Sequence, residues 1–234
     1  MPYKSTGSSG GVPQYEEFTS SGTWTRPAGV NVVEYILVGP GGGGEGGDTS
    51  AHRMGGGGGQ IQKGPLGVTG DLTITIGSGG AGGSSAVGSD GGNSILAGGA
   101  VTPITAHGGG GGDQTVANFG IGGGYRRTSS SDTLYPTAKT EASRMALGMH
   151  TQAGSMSAAW DFFPPSGGLD GQVGDIEVST NYFVAGAGSY KGGGAQNTSG
   201  TGTAGTANGG GGGGGGNTTG GAGADGYCLI TWLA

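Results

Sequence analysis

The residues able to do chemistry are few and scattered. Gly7-Ser8-Ser9-Gly10-Gly11 matches the letters of a nucleophile elbow, but that motif needs a strand before the serine and a helix after it. Here it lies in a polar Ser/Gly stretch that reads as a linker. His52, His107 and His150 lack the short-spaced pairing of a local metal site. They read as ordinary loop histidines, although the Gly runs beside His52 and His107 leave room for those two to meet. Leu169-Asp170-Gly171-Gln172-Val173-Gly174-Asp175-Ile176-Glu177 offers three carboxylates without the spacing of an EF-hand, and a solvated loop is the simpler reading. Gly-x-Gly-x-x-Gly recurs by chance in so Gly-rich a chain, with no βαβ context or acidic ribose partner, and no P-loop is present. The lone Cys228 excludes an intrachain disulfide and a thiolate zinc cluster. The expectation is a protein that is not an enzyme and takes no cofactor and no metal. A glycan hydrolase is the remote alternative, since no convergent carboxylate pair can be picked out.

Recognition chemistry is better represented. Tyr125, Arg126, Arg127, Tyr135, Trp160, Phe162 and Phe163 gather in a Gly-poor stretch at about 125–190. Aromatic and Arg side chains dominate binding hot spots because they give large contact area at small entropic cost. On a distal surface they would stack on sugars or dock to a protein. The other reading makes Trp160, Phe162 and Phe163 the insertion's own small core or a subunit interface. Within the same stretch, Thr140 to Met149 has the composition of a short helix weakened by Gly148.

The scaffold that must position these residues is unusual. Of 234 residues 65 are Gly and nine are Pro, against about 7% Gly in an ordinary domain. Leu, Ile, Val and Phe together number 35, below the roughly 20% that supplies a normal core. Such composition suggests disorder, yet a net charge of −6 gives little self-repulsion. Ordering each Gly costs about 0.5–1 kcal/mol more than ordering Ala, so a regular structure must offset that cost. An acidic balance speaks against nucleic acid as a partner. No apolar run approaches about 18 residues, so no membrane-spanning helix is expected, and residues 1–20 lack the basic-then-apolar pattern of a secretory signal.

Strand signals bracket the Gly runs. Thr23-Trp24-Thr25-Arg26, the turn at Pro27-Ala28-Gly29 and Val32 to Val38 read as a hairpin with a buried second strand. Leu72, Ile74 and Ile76 alternate with Thr73 and Thr75, and Tyr227 to Leu233 forms a closing strand after the Asp225-Gly226 turn. Between them lie Gly runs at 41–44, 55–59, 108–112, 122–124, 192–194 and 209–216. Five residues of polyproline II span about 15 Å. Rods without side chains can approach until each N–H meets a neighbour's C=O, so these runs predict a bundle of polyglycine II-type helices. Gly57, Gly110 and Gly212 are then scaffold positions where a Cβ would push rods apart. The fold class expected is all-β: a small β-sandwich base, a polyglycine bundle built from Gly-rich loops, and the Gly-poor insertion. Residues 1–17 read as an extended arm before a glycine-rich β domain at 18–234, with Tyr3, Val12 and Tyr15 as its candidate attachment residues.

Phe18 to Val30, the Val-rich strand running into Gly39-Pro40-Gly41-Gly42-Gly43-Gly44, the middle strand Leu72 to Ile76 with the turn through Gly82, and the close Gly220-Gly221-Ala222-Gly223-Ala224-Asp225-Gly226-Tyr227 resemble the glycine-rich domain of bacteriophage tail fibres and adhesins. The resemblance covers roughly residues 18–112 and 191–234. It implies a virion protein, made in the host cytoplasm and carried on the tail fibre or capsid surface, whose loops touch a host-cell receptor, a glycan or an outer-membrane protein. Other virion proteins are then partners, as are further copies in a homo-oligomer, with a trimer as one arrangement. A capsid decoration or fibre-connecting protein that binds only other virion proteins is the alternative. The length and low Gly content of 125–190 depart from the family's pattern, as does the short arm in place of a fibre shaft.

Overall fold

A computed structural model describes residues 11–47, 55–112, 186, 189–194, 197, 200–208, 210 and 212–234. Eight strands carry the fold: β1 (Pro13–Phe18), β2 (Gly22–Trp24), β3 (Val32–Val38), β4 (Ile61–Gly67), β5 (Leu72–Thr75), β6 (Ser94–Gly98), β7 (Val101–Ala106) and β8 (Tyr227–Leu233). They form two antiparallel sheets, ordered β1-β8-β3-β4 and β2-β5-β6-β7. No helix occurs among the described residues, and the fold is all-β.

The sheets pack through one apolar cluster. Val33, Leu37, Cys228 and Ile230 from the first meet Trp24, Leu72, Ile74 and Leu96 from the second, and all are buried. Alternation explains the choice, since residues two apart share a face of a strand: β5 reads buried-exposed-buried-exposed from Leu72 to Thr75.

The region from Thr23 to Val38 is not a hairpin. β2 pairs with β5, while β3 pairs with β4 and β8 in the other sheet. The connection crosses the sandwich because Arg26 pins it to both sides. Its backbone N–H donates to Asp71 Oδ1 at 2.9 Å beside β5, and its guanidinium donates to Val30 O and to Asn31 Oδ1 just before β3. The Pro27 to Val30 turn closes with the Val30 N–H on Pro27 O at 3.2 Å.

Strands β4, β6 and β7 went unread in the sequence, and each has a reason. β4, Ile-Gln-Lys-Gly-Pro-Leu-Gly, carries Gly64 and Pro65, residues that weaken a strand assignment; it is an edge strand, where Pro is tolerated. β7 holds Pro103 at the other sheet's edge, beside a register shift against β6. β6 and β7 are joined by Gly99-Ala100, both at positive φ (53° and 61°), as a tight type I′ connection demands. Pro13 to Glu17, read as the end of an arm, lies within β1.

The Gly runs continue the strands. β3, β5 and β7 lead directly into residues 39–46, 77–83 and 107–112, while residues 55–60, 86–93 and 219–226 lead into β4, β6 and β8. All six junctions fall at one end of the sandwich. The opposite end holds the 25–31, 68–71 and 99–100 connections and the start of β1 beside the end of β8, where Val12 and Ala234 exchange hydrogen bonds at 2.8 and 3.1 Å.

Residues 40–46 form the bundle's centre. The N–H groups of Gly41 and Gly44 donate to Ala224 O and Gly221 O, and those of Gly43 and Gly46 to Ser89 O and Ala86 O. In return, Pro40 O and Gly43 O accept from Gly109 and Gly112, Gly41 O and Gly44 O from Gly80 and Gly83, and Gly42 O and Glu45 O from Gly213 and Gly216. Gly42 completes the set by donating to Gly57 O at 2.9 Å. Each of these paired contacts recurs after three residues. This one segment therefore touches six others through backbone alone, which pairs the buried amides that would otherwise be costly.

Side chains are excluded by the same packing. A Cβ on Gly42, Gly43 or Gly44 would meet the backbone of Gly110, Ala81 or Gly214 respectively, three different neighbours from three successive residues. Of the scaffold positions, Gly57 donates to Gly110 O at 2.8 Å, Gly212 O accepts from Gly194, and a Cβ on Gly212 would meet Gly56 O. Side chains instead satisfy backbone at the margins: Asp90 Oδ1 and Asp225 Oδ1 each accept at 2.8 Å, from Gly111 and Gly79.

Candidate functional site

The molecule has two chemically different ends. At the far end of the bundle, away from the sheets, the segments turn. Gly46 bridges to Gly216, Ser84 to Thr219 and Asn197 to Gly216, so three turns lie side by side. They present the hydroxyl side chains of Ser84, Ser85, Thr201 and Thr218, with Asn217 half-buried between them and its Oδ1 buried. Ser85 holds a positive φ of 51°, and Asn197 Nδ2 donates to Thr201 O at 3.0 Å. This is hydrogen-bonding chemistry without a nucleophile–base pair, and no cluster of three or more metal-ligating side chains occurs among the described residues. Sequence reasoning missed these turns because each looks like a linker alone; the available signal was the recurrence of Ser, Thr or Asn where Gly runs break.

The described residues on either side of 113–185 can be placed along the bundle. Residues 109 to 112 run away from the sheets, matched to Pro40 and then Gly43. Gly186 lies level with Gly212, by way of Gly194, and Ser189 lies lower, its hydroxyl donating to Gly59 O at 2.6 Å. The chain leaves at Gly112 heading outward and is travelling inward by Gly186. Tyr125, Arg126, Arg127, Tyr135, Trp160, Phe162 and Phe163 lie outside the described residues, as do the 140–149 helix reading, the Asp170–Glu177 loop, His52, His150 and the Gly7–Gly11 motif. His107 sits at the junction with the sheets, where its N–H donates to Gln60 Oε1 at 3.1 Å.

The sandwich end is apolar where it meets solvent. Tyr15, Val32 and Leu233 are 70, 58 and 63% exposed, and they share the outer face because Pro13 pairs Leu233 and Tyr15 pairs Thr231 across the sheet; Val12, 64% exposed, precedes Pro13 and by alternation points to the other face. An open groove of about 550 Å³ runs beside them, lined by Pro13, Val32, Glu34, Thr231 and Leu233 among others. Of the candidate attachment residues, Tyr3 lies outside the described residues, Tyr15 belongs to this patch, and Val12 is exposed on the other face of the sheet.

Titratable groups near the sheet are structural. Burial pushes the Cys228 thiol up to about 12, which keeps it an inert thiol at neutral pH. Tyr227 stacks on Tyr190 with ring centroids 5.4 Å apart and 12° between planes. Its phenol is raised first by burial and then by Glu17, whose carboxylate accepts its hydrogen bond.

Comparison with known proteins adds one finding about kinship: a family model described as a glycine-rich domain matches residues 17–233. No curated protein matches the chain.

Proposed function

The chain belongs to the glycine-rich domain family, and from that premise we propose that it is a non-enzymatic virion structural protein of a bacteriophage, a tail-fibre tip or adhesin whose loops attach to a host-cell receptor. The observation that carries this reading is the polarity of the fold. The start of β1 at Val12 and the end of β8 at Ala234 sit together at the sandwich end, while Gly112 and Gly186, the described residues on either side of 113–185, lie in the bundle beyond the sheets. A protein anchored through its sandwich and presenting loops to a receptor needs that separation.

The Gly-rich segments are the spacer in this reading. We take them as polyglycine II-type helices, supported by hydrogen-bond partners that recur every three residues as three residues per turn require. With backbone bonded to backbone on all sides, the bundle is a stiff support. The aromatic and Arg residues between 125 and 163 supply contact area, and the hydroxyl and amide turns at the far end suit a glycan. Copies on one particle would raise avidity without new contacts.

The test is binding of the purified, fluorescently labelled protein to susceptible and to resistant bacterial cells, with competition against infection. Selective binding that blocks infection is expected. Failure of a folded preparation to bind would transfer the assignment to a capsid decoration or fibre-connecting protein.

A further inference from the structure

Among the described residues, the sheet formed by β1, β8, β3 and β4 has two open edges, and the groups that face outward there can be assigned. Val12 and Ala234 bond to each other; with alternate residues pointing opposite ways, Gln14, Glu16 and Phe18 also face β8. The N–H and C=O groups of Tyr15 and Glu17 and the C=O of Pro13 therefore face outward. At the other edge, Gly39 bonds Gln60 and Val68 bonds Asn31 O, so Gln62, Gly64 and Leu66 face β3. Ile61, Lys63, Pro65 and Gly67 face outward. Both prolines stand where the missing N–H would point to solvent, the place Pro is tolerated.

The two edges are in step. Register places Glu17 level with Leu229, Ile36 and Lys63, Tyr15 level with Thr231, Glu34 and Pro65, and Pro13 level with Leu233, Val32 and Gly67. All of these side chains lie on the sheet's outer face. Strand direction alternates across four strands, so a copy related by rotation about an axis along the strands presents β4 antiparallel to β1. Glu17, Tyr15, Lys63, Pro65 and Gly67 are exposed.

We propose that β1 of one copy adds to β4 of the next, head to tail, making a cyclic homo-oligomer through continued sheets. Glu17 and Lys63 exchange both backbone bonds, Tyr15 N–H donates to Pro65 O, and Gly67 N–H donates to Pro13 O. Opposite charges then face each other, and the Tyr15 ring lies against Pro65. Edge addition of this kind gains its affinity from main-chain bonds. It also covers the two exposed edges, which would otherwise template aggregation. The proposal is independent of receptor attachment, because it uses only the sandwich end.

The experiment measures mass by light scattering and sedimentation across a concentration series of the full chain. Wild type is expected to be oligomeric. Glu17→Lys and Lys63→Glu should each weaken association at least ~10-fold, the scale of close interfacial charge pairs, and the double reversal should restore it. In oxidising buffer, Tyr15→Cys combined with Pro65→Cys should give disulfide-linked oligomers, while either single variant should not, because directly paired strand positions suit a disulfide. A monomeric wild type, a Lys63→Glu variant as oligomeric as wild type, or failure of the paired cysteines to cross-link would each overturn the proposal. A native β-sheet circular dichroism spectrum and cooperative unfolding of each variant separate lost association from lost folding.

Discussion

Trp24 of β2 and Trp232 of β8 meet edge to face across the sandwich, with ring centroids 5.5 Å apart and planes at 67°. Trp24 has no exposed surface, and its Nε1 has no hydrogen-bond partner. The pair joins the two sheets by shape and quadrupole, a geometry worth about 0.5–1.5 kcal/mol beyond the area it buries. The indole donor contributes nothing to that.

Trp24→Ala should therefore lose the whole ring and cost about 3–5 kcal/mol. Trp24→Phe keeps an aromatic edge for Trp232 and removes a buried unpaired donor, whose desolvation costs about 1–3 kcal/mol, so its net loss should be less than half that of Trp24→Ala. Urea unfolding of the two variants checks the ratio. Equal losses would mean that the Nε1 donor is satisfied in solution.

Much of the sandwich was legible in the sequence because its central strands obey simple rules. Leu72 and Ile74 alternate with Thr, and Tyr227 to Leu233 is β-prone throughout. What escaped was set by tertiary context. Arg26 decides that the chain after Trp24 crosses between sheets, and nothing in the Pro27-Ala28-Gly29 turn signals that Asp71 and Asn31 will hold it. β4 carries no strand signal because Gly64 and Pro65 weaken a strand that only an edge position permits. The Gly runs carried a composition signal but no address. That residues 40–46 stand at the centre follows from pairings such as Gly43 with Ser89 and Gly112, which no periodicity encodes. At the far end of the bundle, the turns at Ser84, Asn197 and Asn217 become neighbours only once the segments assemble.

Packing around residues 40–46 predicts a sharp contrast between glycines. A Cβ on Gly44 would meet the backbone oxygen of Gly214, and backbone held on every side cannot give way. Gly44→Ala should cost more than about 3 kcal/mol, the upper range for overpacking a core. Gly70, in the β4–β5 turn, has its nearest neighbour at 3.6 Å, ordinary contact, with no positive φ. Gly70→Ala should be neutral or stabilising by up to about 1 kcal/mol through the unfolded state. Thermal melting of both distinguishes a packed bundle from a set of linkers, in which Gly44→Ala would also be tolerated.

Alkaline pH should loosen the fold through Cys228 and Tyr227. Both are raised from their ordinary values of 9.0 and 10.0, and burial is the largest cause in each. The folded state thus holds protons that the unfolded chain releases, and stability falls as pH rises wherever the folded state binds more protons. Their contribution is complete at about pH 8. It is lost from pH 9.0 upward, where the unfolded thiol ionises, and that loss continues until the folded thiol ionises at about 12. Cys228→Ala, itself somewhat destabilised by the smaller side chain, should show a shallower decline between about pH 9 and pH 10.5 than wild type, with the residual slope owed to Tyr227 and to Tyr35, whose phenol burial also raises. Urea midpoints across that range, with the two proteins in parallel, measure the difference. Identical slopes would mean that the thiol is as accessible in the folded protein as in the unfolded chain.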